Sequence, residues 1–154
     1  MKIGLISDTH GHVPNALHEA LAGVNCILHA GDVGPMDVIT ELEAIAPVKA
    51  VLGNTDHGIA LPETRVEEFA TRRFMVHHIV DVAFPSRQVQ ATLAEEEPEV
   101  VVFGHTHVPF HDVIDGVLYV NPGSPCQPRD FSDPSVAIAD CTPETIDVRF
   151  VPLT

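Results

Sequence analysis

Positively charged side chains are scarce in this chain of 154 residues, which has 8 Lys and Arg against 22 Asp and Glu and a formal net charge of −14. Proteins that bind duplex nucleic acid need a basic surface for the phosphate backbone. We therefore expect no duplex nucleic acid as a partner. A small anionic ligand remains compatible with this charge, because bound divalent cations can reverse the field inside a cleft.

Cysteines and long apolar runs are also rare. The three cysteines, Cys26, Cys126 and Cys141, are odd in number and form no C-x-x-C pair, so they predict free thiols in a reducing compartment. No apolar run approaches the roughly 20 residues needed to span a membrane. Met1 leads directly into an apolar strand that ends at charged Asp8, without the core of a signal peptide. We expect a cytoplasmic protein that does not contact a membrane.

The hydrophobic residues, 45% of the chain, are ample material for one core. The length also falls in the range of one compact domain, and no repeat or linker divides the sequence. We predict a single domain over residues 1–154. The oligomeric state stays open, a homo-oligomer included.

The first half of the chain alternates strand and helix patterns. Three short apolar runs predict buried strands at residues 2–7, 26–30 and 49–52. Between them, apolar residues recur at helical spacing, first after Pro14 and again over Val38, Leu42 and Ile45. This alternation predicts βαβ units and a largely parallel sheet.

The second half is richer in strands. They are predicted at residues 64–69, 73–76, 100–103, 113–114, 117–120, 136–139 and 145–151. Ser86 is a suitable N-cap for a helix over residues 87–97, which Pro98 ends, and Asp115-Gly116 is a two-residue hairpin turn. We expect an antiparallel second half and an α/β fold. Two packed sheets with helices outside and a single mixed sheet covered by helices both fit this pattern.

Potential metal ligands follow five of these apolar runs. They are Asp8 and His10, Asp32, Asn54, His77, and His105 with His107. Ligands in α/β sheets bind beyond the carboxyl ends of the strands, so we expect these side chains to converge. Gly31, Gly53 and Gly104 support this hypothesis, because each precedes a candidate ligand where the backbone must turn sharply.

The donor types indicate which ions would bind. Carboxylate, amide oxygen and imidazole without a thiolate suit Mn²⁺, Fe²⁺ or Zn²⁺ better than Ca²⁺. Seven candidates are too many for one ion. Two ions about 3.5–4 Å apart, bridged by a carboxylate and a hydroxide, would use all of them.

The ordered motifs resemble the signature of the calcineurin-like metallophosphoesterases. They are Asp8-x-His10, Gly31-Asp32, Gly53-Asn54-x-Asp56, a His at position 77, and Gly104-His105-x-His107. The length and the segment Asn121-Pro122-Gly123-Ser124 resemble the small YfcE/MJ0936-type phosphodiesterase branch, to which the retromer subunit Vps29 is also similar. The resemblance spans nearly the whole chain and implies a four-layer αββα sandwich of two mixed β-sheets flanked by helices.

The same resemblance implies a phosphodiesterase that hydrolyses small phosphate esters with two divalent ions, Mn²⁺ being favoured and Ni²⁺, Fe²⁺ or Zn²⁺ the alternatives. A hydroxide bridging the two ions would attack phosphorus. One ion would be held by Asp8, His10 and His107 and the other by Asn54, His77 and His105, with Asp32 as the bridge. Asp32, Asn54 and His77 are accordingly the expected catalytic residues, and Asn54 and Arg129 the expected substrate contacts.

Two positions depart from the family pattern. His77 is followed by His78, and only one of two adjacent side chains on an extended strand can reach the cluster; we assign His77. Thr55 stands where phosphomonoesterases of the superfamily often carry a His. A threonine hydroxyl is a poor proton donor, so this residue favours diesters with good leaving groups, unless His12, His57 or His78 supplies the proton. Asp56 is expected to orient a ligand or cap a loop. A phosphomonoesterase and a Vps29-like protein-binding scaffold are the alternatives.

Overall fold

The computed structural model describes residues 1–153, which form ten strands and three helices. The strands are β1 (Lys2–Ile6), β2 (Cys26–His29), β3 (Val48–Ala50), β4 (Thr64–Phe69), β5 (Arg72–His77), β6 (Val100–Val102), β7 (Phe110–Ile114), β8 (Val117–Asn121), β9 (Ser135–Cys141) and β10 (Ile146–Pro152). The helices are α1 (Ala16–Ala20), α2 (Asp37–Glu43) and α3 (Arg87–Glu96). The predicted domain boundary at Thr154 lies outside the described residues.

The strands form two five-stranded mixed sheets, in the orders β10-β9-β1-β2-β3 and β4-β5-β6-β8-β7. The predicted parallel arrangement of β1, β2 and β3 is confirmed. The predicted hairpin is also confirmed, since β7 and β8 pair on either side of Asp115-Gly116.

The prediction of an antiparallel second half is only partly right. Strands β5, β6 and β8 run parallel within the second sheet. Strands β9 and β10 form the expected antiparallel pair, but they join the first sheet, where β9 pairs with β1. The chain therefore returns at its end to the sheet in which it began. Local patterns predict a strand but not its distant partner.

Three apolar clusters divide the molecule into four layers. Ile3 and Leu5 of β1 meet Phe74 and Val76 of β5 between the two sheets. On the other face of the first sheet, a second cluster packs against α1 and α2. A third cluster packs α3 against the outer face of the second sheet. This αββα order confirms the predicted sandwich and excludes the single covered sheet.

Helix α3 has the ends that the sequence predicts. The Ser86 hydroxyl accepts a hydrogen bond from the backbone N–H of Val89, and the left-handed Glu97, just before Pro98, ends the helix. Within residues 1–153, no helix is long and apolar enough to cross a membrane. The three cysteines are free thiols.

Candidate metal centre

The loops that follow β1, β2, β3, β5 and β6 meet at one edge of the sandwich. Backbone hydrogen bonds join them directly: Asp8 N–H donates to Gly31, His10 N–H to Asp32, and Gly104 N–H to the His78 carbonyl. Parallel strands carry the loops at their carboxyl ends to the same edge, as the sequence predicts.

A first trio consists of Asp8, His10 and His107, whose donor atoms lie within 4.8 Å of one another. Asp8 Oδ1 lies 3.2 Å from His107 Nε2 and 3.7 Å from His10 Nε2. The two imidazole Nε2 atoms are 3.3 Å apart. Donor atoms that share an ion at about 2.1 Å lie roughly 3–3.5 Å apart, so this spacing suits one metal ion.

A second trio consists of Asp32, His78 and His105, again with donor atoms within 4.8 Å of one another. His78 Nε2 lies 3.2 Å from Asp32 Oδ2. The trios are contiguous, because His10 Nε2 is 3.6 Å from Asp32 Oδ2 and His78 Nε2 is 3.8 Å from Asp8 Oδ1. Asp32 Oδ2 therefore lies between a histidine of each trio.

The assignment of His77 to the cluster is wrong, because the structure places His78 there. Side chains alternate along β5, and Phe74 and Val76 point into the core between the sheets. His78 continues that face, at whose edge the trios lie. The His77 imidazole points the other way, with Nδ1 2.8 Å from Thr64 Oγ1. Burial lowers its pKa.

Two rings have a fixed orientation that leaves Nε2 free. His78 Nδ1 lies 2.7 Å from the Ala30 carbonyl, and His107 Nδ1 lies 2.6 Å from the Gln127 carbonyl. A carbonyl oxygen only accepts, so both Nδ1 atoms carry the proton. In the neutral ring, Nε2 then carries a lone pair, which faces a carboxylate oxygen. Among residues 1–153, the buried atoms His78 Nε2 and Asp8 Oδ1 lack a hydrogen-bond partner. Facing acceptors of this kind fit a cation between them.

Each carboxylate has one oxygen held by the protein and the other directed into the site. Asp8 Oδ2 accepts hydrogen bonds from Ser7 Oγ and the His105 N–H, and Asp32 Oδ1 accepts one from the Thr55 N–H. Burial alone raises the pKa of the Asp32 carboxyl, but hydrogen bonds from Thr55 and the nearby His78 and His10 outweigh it and lower the pKa. Asp32 is therefore ionised near neutral pH and able to hold a cation.

The backbone of the site is strained. Asp8, His10, Asp32, His105 and His107 all have positive φ values, between 46° and 73°. Such conformations are uncommon for residues other than glycine, and they cluster at functional sites. Glycine is required nearby, since a Cβ on Gly53 would collide with the Asp32 carboxylate and one on Gly104 with Ser7.

The segment after β8 holds the loops of the site in place, a role that sequence patterns did not predict for its individual residues. Ser124 Oγ donates to the Asp8 carbonyl at 2.7 Å. It also accepts from the N–H of Gln127, whose own carbonyl accepts from His107. Asn121 Nδ2 donates to the Gly104 carbonyl and to Thr106 Oγ1. These contacts fix the loops that carry Asp8, His105 and His107.

His29 is a second bracing residue that the sequence did not indicate. It is fully buried on the helix-facing side of β2. Its Nδ1 accepts from the Gly31 N–H, so Nε2–H donates to Thr9 Oγ1 at 2.9 Å, and that hydroxyl donates to the Val33 carbonyl. Burial lowers the pKa of His29 from 6.5 to about 3. The ring is therefore neutral and joins the loops after β1 and β2.

This burial predicts a loss of stability in acid. His29 becomes protonated below about pH 6.5 in the unfolded chain but only near pH 3 in the folded chain. The free energy of unfolding therefore falls as the pH falls from 6.5 towards 3. Between pH 7 and pH 5 the free energy of unfolding should drop by about 2 kcal/mol more in the metal-free wild type than in His29→Gln. Urea unfolding at both pH values measures this, with exposed His18→Gln as the control. Equal drops in wild type and His29→Gln would contradict the assignment.

The remaining predicted residues lie around the trios. Asn54 is exposed on the loop after β3 and lines a cleft of about 350 Å³ together with His77 and His78. Arg129 is exposed, and its backbone N–H donates to the His107 carbonyl. The pKa of His105 is lowered by burial and next by His78, and Arg129 acts in the same direction. Asp56 caps the loops by accepting from the backbone N–H groups of residues 33, 34 and 53.

Comparison with known proteins agrees with this architecture. Residues 1–144 match the family model of the calcineurin-like phosphoesterase superfamily domain. The chain is 38% identical to a probable metallophosphoesterase of Methanothermobacter thermautotrophicus, over 98% of this chain and 92% of that protein. It is 32% identical to phosphodiesterase MJ0936 of Methanocaldococcus jannaschii, over 82% of this chain and 85% of the relative.

A solved structure described as a novel archaeal phosphodiesterase superposes with a TM-score of 0.78 and 28% identity, covering 99% of this chain and all of the other. The chain therefore belongs to the calcineurin-like phosphoesterase superfamily, as the motifs indicated. Membership implies divalent metal ions, and the two trios are the candidate sites for them.

Proposed function

We propose that this protein is a dinuclear-metal phosphodiesterase that hydrolyses small phosphate esters. The observation that carries the proposal is the pair of contiguous trios, in each of which a carboxylate oxygen lies 3.2 Å from an imidazole Nε2. Two divalent ions, Mn²⁺ being favoured over Ni²⁺, Fe²⁺ and Zn²⁺, would hold a bridging hydroxide as nucleophile and stabilise charge on the phosphoryl oxygens. Asp8, His10 and His107 would hold one ion, and Asn54, His78 and His105 the other. Asp32, whose Oδ2 lies near a histidine of each trio, would serve both.

The chain's own groups would prepare the site in three ways. The Ala30 and Gln127 carbonyls keep His78 and His107 in the tautomer with a free Nε2. The Thr55 N–H turns Asp32 so that Oδ2 faces both trios. Arg129 and Asn54, exposed beside the trios, would hold phosphate oxygens. Such preorganised charges stabilise the transition state without reorganising during the reaction.

Position 55 of this site provides no effective proton donor for the leaving group. The hydroxyl of Thr55 is a poor acid, and a positioned acid typically contributes about 10²–10⁴-fold at that step. An aryl oxide leaves without a proton. We therefore expect bis(p-nitrophenyl) phosphate to be hydrolysed at least about 100-fold faster than an alkyl monoester such as glycerol 3-phosphate.

Steady-state turnover of both esters by metal-stripped protein, reloaded in turn with Mn²⁺, Ni²⁺, Zn²⁺ and Mg²⁺, tests the proposal. Faster turnover of the alkyl monoester would indicate a phosphomonoesterase. Failure with every ion would contradict an enzymatic role and favour a protein-binding scaffold.

A further inference from the structure

A cleft beside the second trio has a chemical character of its own. We call it the β3–β5 cleft, and it is lined among others by Leu52, Asn54, Glu63, His77, Ile79 and Gln88. Its volume of about 350 Å³ falls within the range of about 300–1,000 Å³ that small-molecule sites occupy. His78 and Asn54 belong both to this cleft and to the proposed second metal site. A phosphodiester bound at the proposed second metal site would direct one of its ester arms into the cleft.

The charge of the β3–β5 cleft disfavours an anionic arm. Within residues 1–153, its lining contains no Lys or Arg, while Asp56 and Glu63 carry negative charge. The Asp56 carboxylate is occupied by three backbone N–H groups. Glu63 accepts one hydrogen bond from Gln88 Nε2, at 3.2 Å, and remains exposed. A second phosphate or a carboxylate that reached beyond the proposed second ion would face Glu63, and no Lys or Arg side chain of the lining would offset the repulsion.

The polar groups of the cleft match hydroxyl donors. The Glu63 carboxylate, the Gln88 amide and the His77 imidazole are three hydrogen-bonding groups that a polyol can satisfy together. The charge of Glu63 would attract an ammonium arm, but a quaternary ammonium donates no hydrogen bond to Glu63, Gln88 or His77. No Phe, Tyr or Trp lines the cleft within residues 1–153 to supply an aromatic face for it either.

We infer that the substrate is a phosphodiester with a single phosphate, and that its β3–β5 arm is an uncharged, hydroxyl-bearing alcohol of the glycerol or sugar type. The inference rests on the proposed function and narrows its substrate class. Hydrogen bonds to Glu63 and Gln88 select the arm, and Glu63 rejects negative charge.

Four p-nitrophenyl diesters that share a leaving group test this selection. Their second arms are glyceryl, n-propyl, 2-carboxyethyl and 2-(trimethylammonio)ethyl. With Mn²⁺-loaded full-length protein, kcat/KM is measured as formation of the alkyl phosphate monoester, because the vicinal hydroxyl of the glyceryl arm can also expel p-nitrophenolate by cyclisation. The value for the glyceryl ester should exceed that for the propyl ester about threefold, as one or two hydrogen bonds allow. It should exceed that for the carboxyethyl ester about tenfold, since a lost hydrogen bond and charge repulsion act together. In Glu63→Gln the glyceryl-to-carboxyethyl ratio should fall to about twofold.

The matched control is Glu144→Gln, which removes one carboxylate from the turn between β9 and β10, at the opposite end of the first sheet. It should keep the wild-type ratio. Calorimetric titration with glyceryl and carboxyethyl methylphosphonates gives a second readout, in which the glyceryl ester should bind more tightly to wild type but not to Glu63→Gln.

The outcomes separate this inference from the proposed function. Hydrolysis of all four esters at equal kcat/KM, a preference for the ammonium arm, or an unchanged ratio in Glu63→Gln would overturn the inference and leave the phosphodiesterase standing. Hydrolysis of none of them with any ion would overturn both.

Discussion

His78→Ala should weaken the binding of one metal ion more than about 100-fold and leave the other bound, whereas His77→Ala should leave the metal content unchanged. The structural reason is the alternation along β5, which directs His78 to Asp32 and His77 to Thr64. We expect a loss above about 100-fold because replacing a residue that only orients a metal ligand already lowers metal affinity about 10–100-fold. Mn²⁺ titration with elemental analysis after gel filtration measures the number of ions bound.

The two histidines are each other's control, since both substitutions remove one imidazole from adjacent positions. Metal content, and not turnover, is the deciding readout, because His77 lines the β3–β5 cleft and its loss can change substrate binding. Loss of one ion in His77→Ala, with two retained in His78→Ala, would show that the ring orientations in the structure are wrong.

Asp32→Asn should lower kcat for an aryl diester at least about 1,000-fold. An ion that acts on the phosphoryl oxygen contributes several kcal/mol to the transition state, and each 1.36 kcal/mol is a factor of ten. The amide keeps an acceptor for the Thr55 N–H, so the substitution removes the charge between the trios and not the loop contact. Metal affinity should fall in parallel.

Asp81→Asn is the matched control for this substitution. Asp81 is also a loop carboxylate that accepts backbone hydrogen bonds, from Ala83 and Phe84, but it belongs to neither trio. It should retain wild-type turnover. Asp32→Asn protein that keeps two tightly bound ions and near-normal turnover would show that Asp32 does not bridge, and Asp8, whose Oδ1 also lies near histidines of both trios, would become the candidate.

The sequence predicts the elements of this fold because they depend on local patterns. Apolar runs, the Ser86 cap and the Asp115-Gly116 turn act within a few residues. The pairing of β9 with β1 joins residues more than 130 positions apart. Such a contact leaves no trace in local periodicity, so the sheet to which the end of the chain belongs required the structure.

The candidate site could also be predicted in part from the sequence, while the rest required the structure. Strand-end position identified Asp8, His10, Asp32, His105 and His107, because topology alone brings such residues together. The choice between His77 and His78 required the face of β5 that meets the other sheet. Phe74 and Val76 lie on that face, but Met75 is equally apolar and points to α3, so hydropathy could not distinguish the two faces.

The central claim is that two divalent ions bind between these strand ends. Its most direct test is a crystal structure of the Mn²⁺-loaded protein with an anomalous difference map at the manganese absorption edge. We predict two peaks about 3.5–4 Å apart, one beside Asp8, His10 and His107 and the other beside His78 and His105, with Asp32 in contact with both. A single peak, or two peaks away from these side chains, would contradict the account.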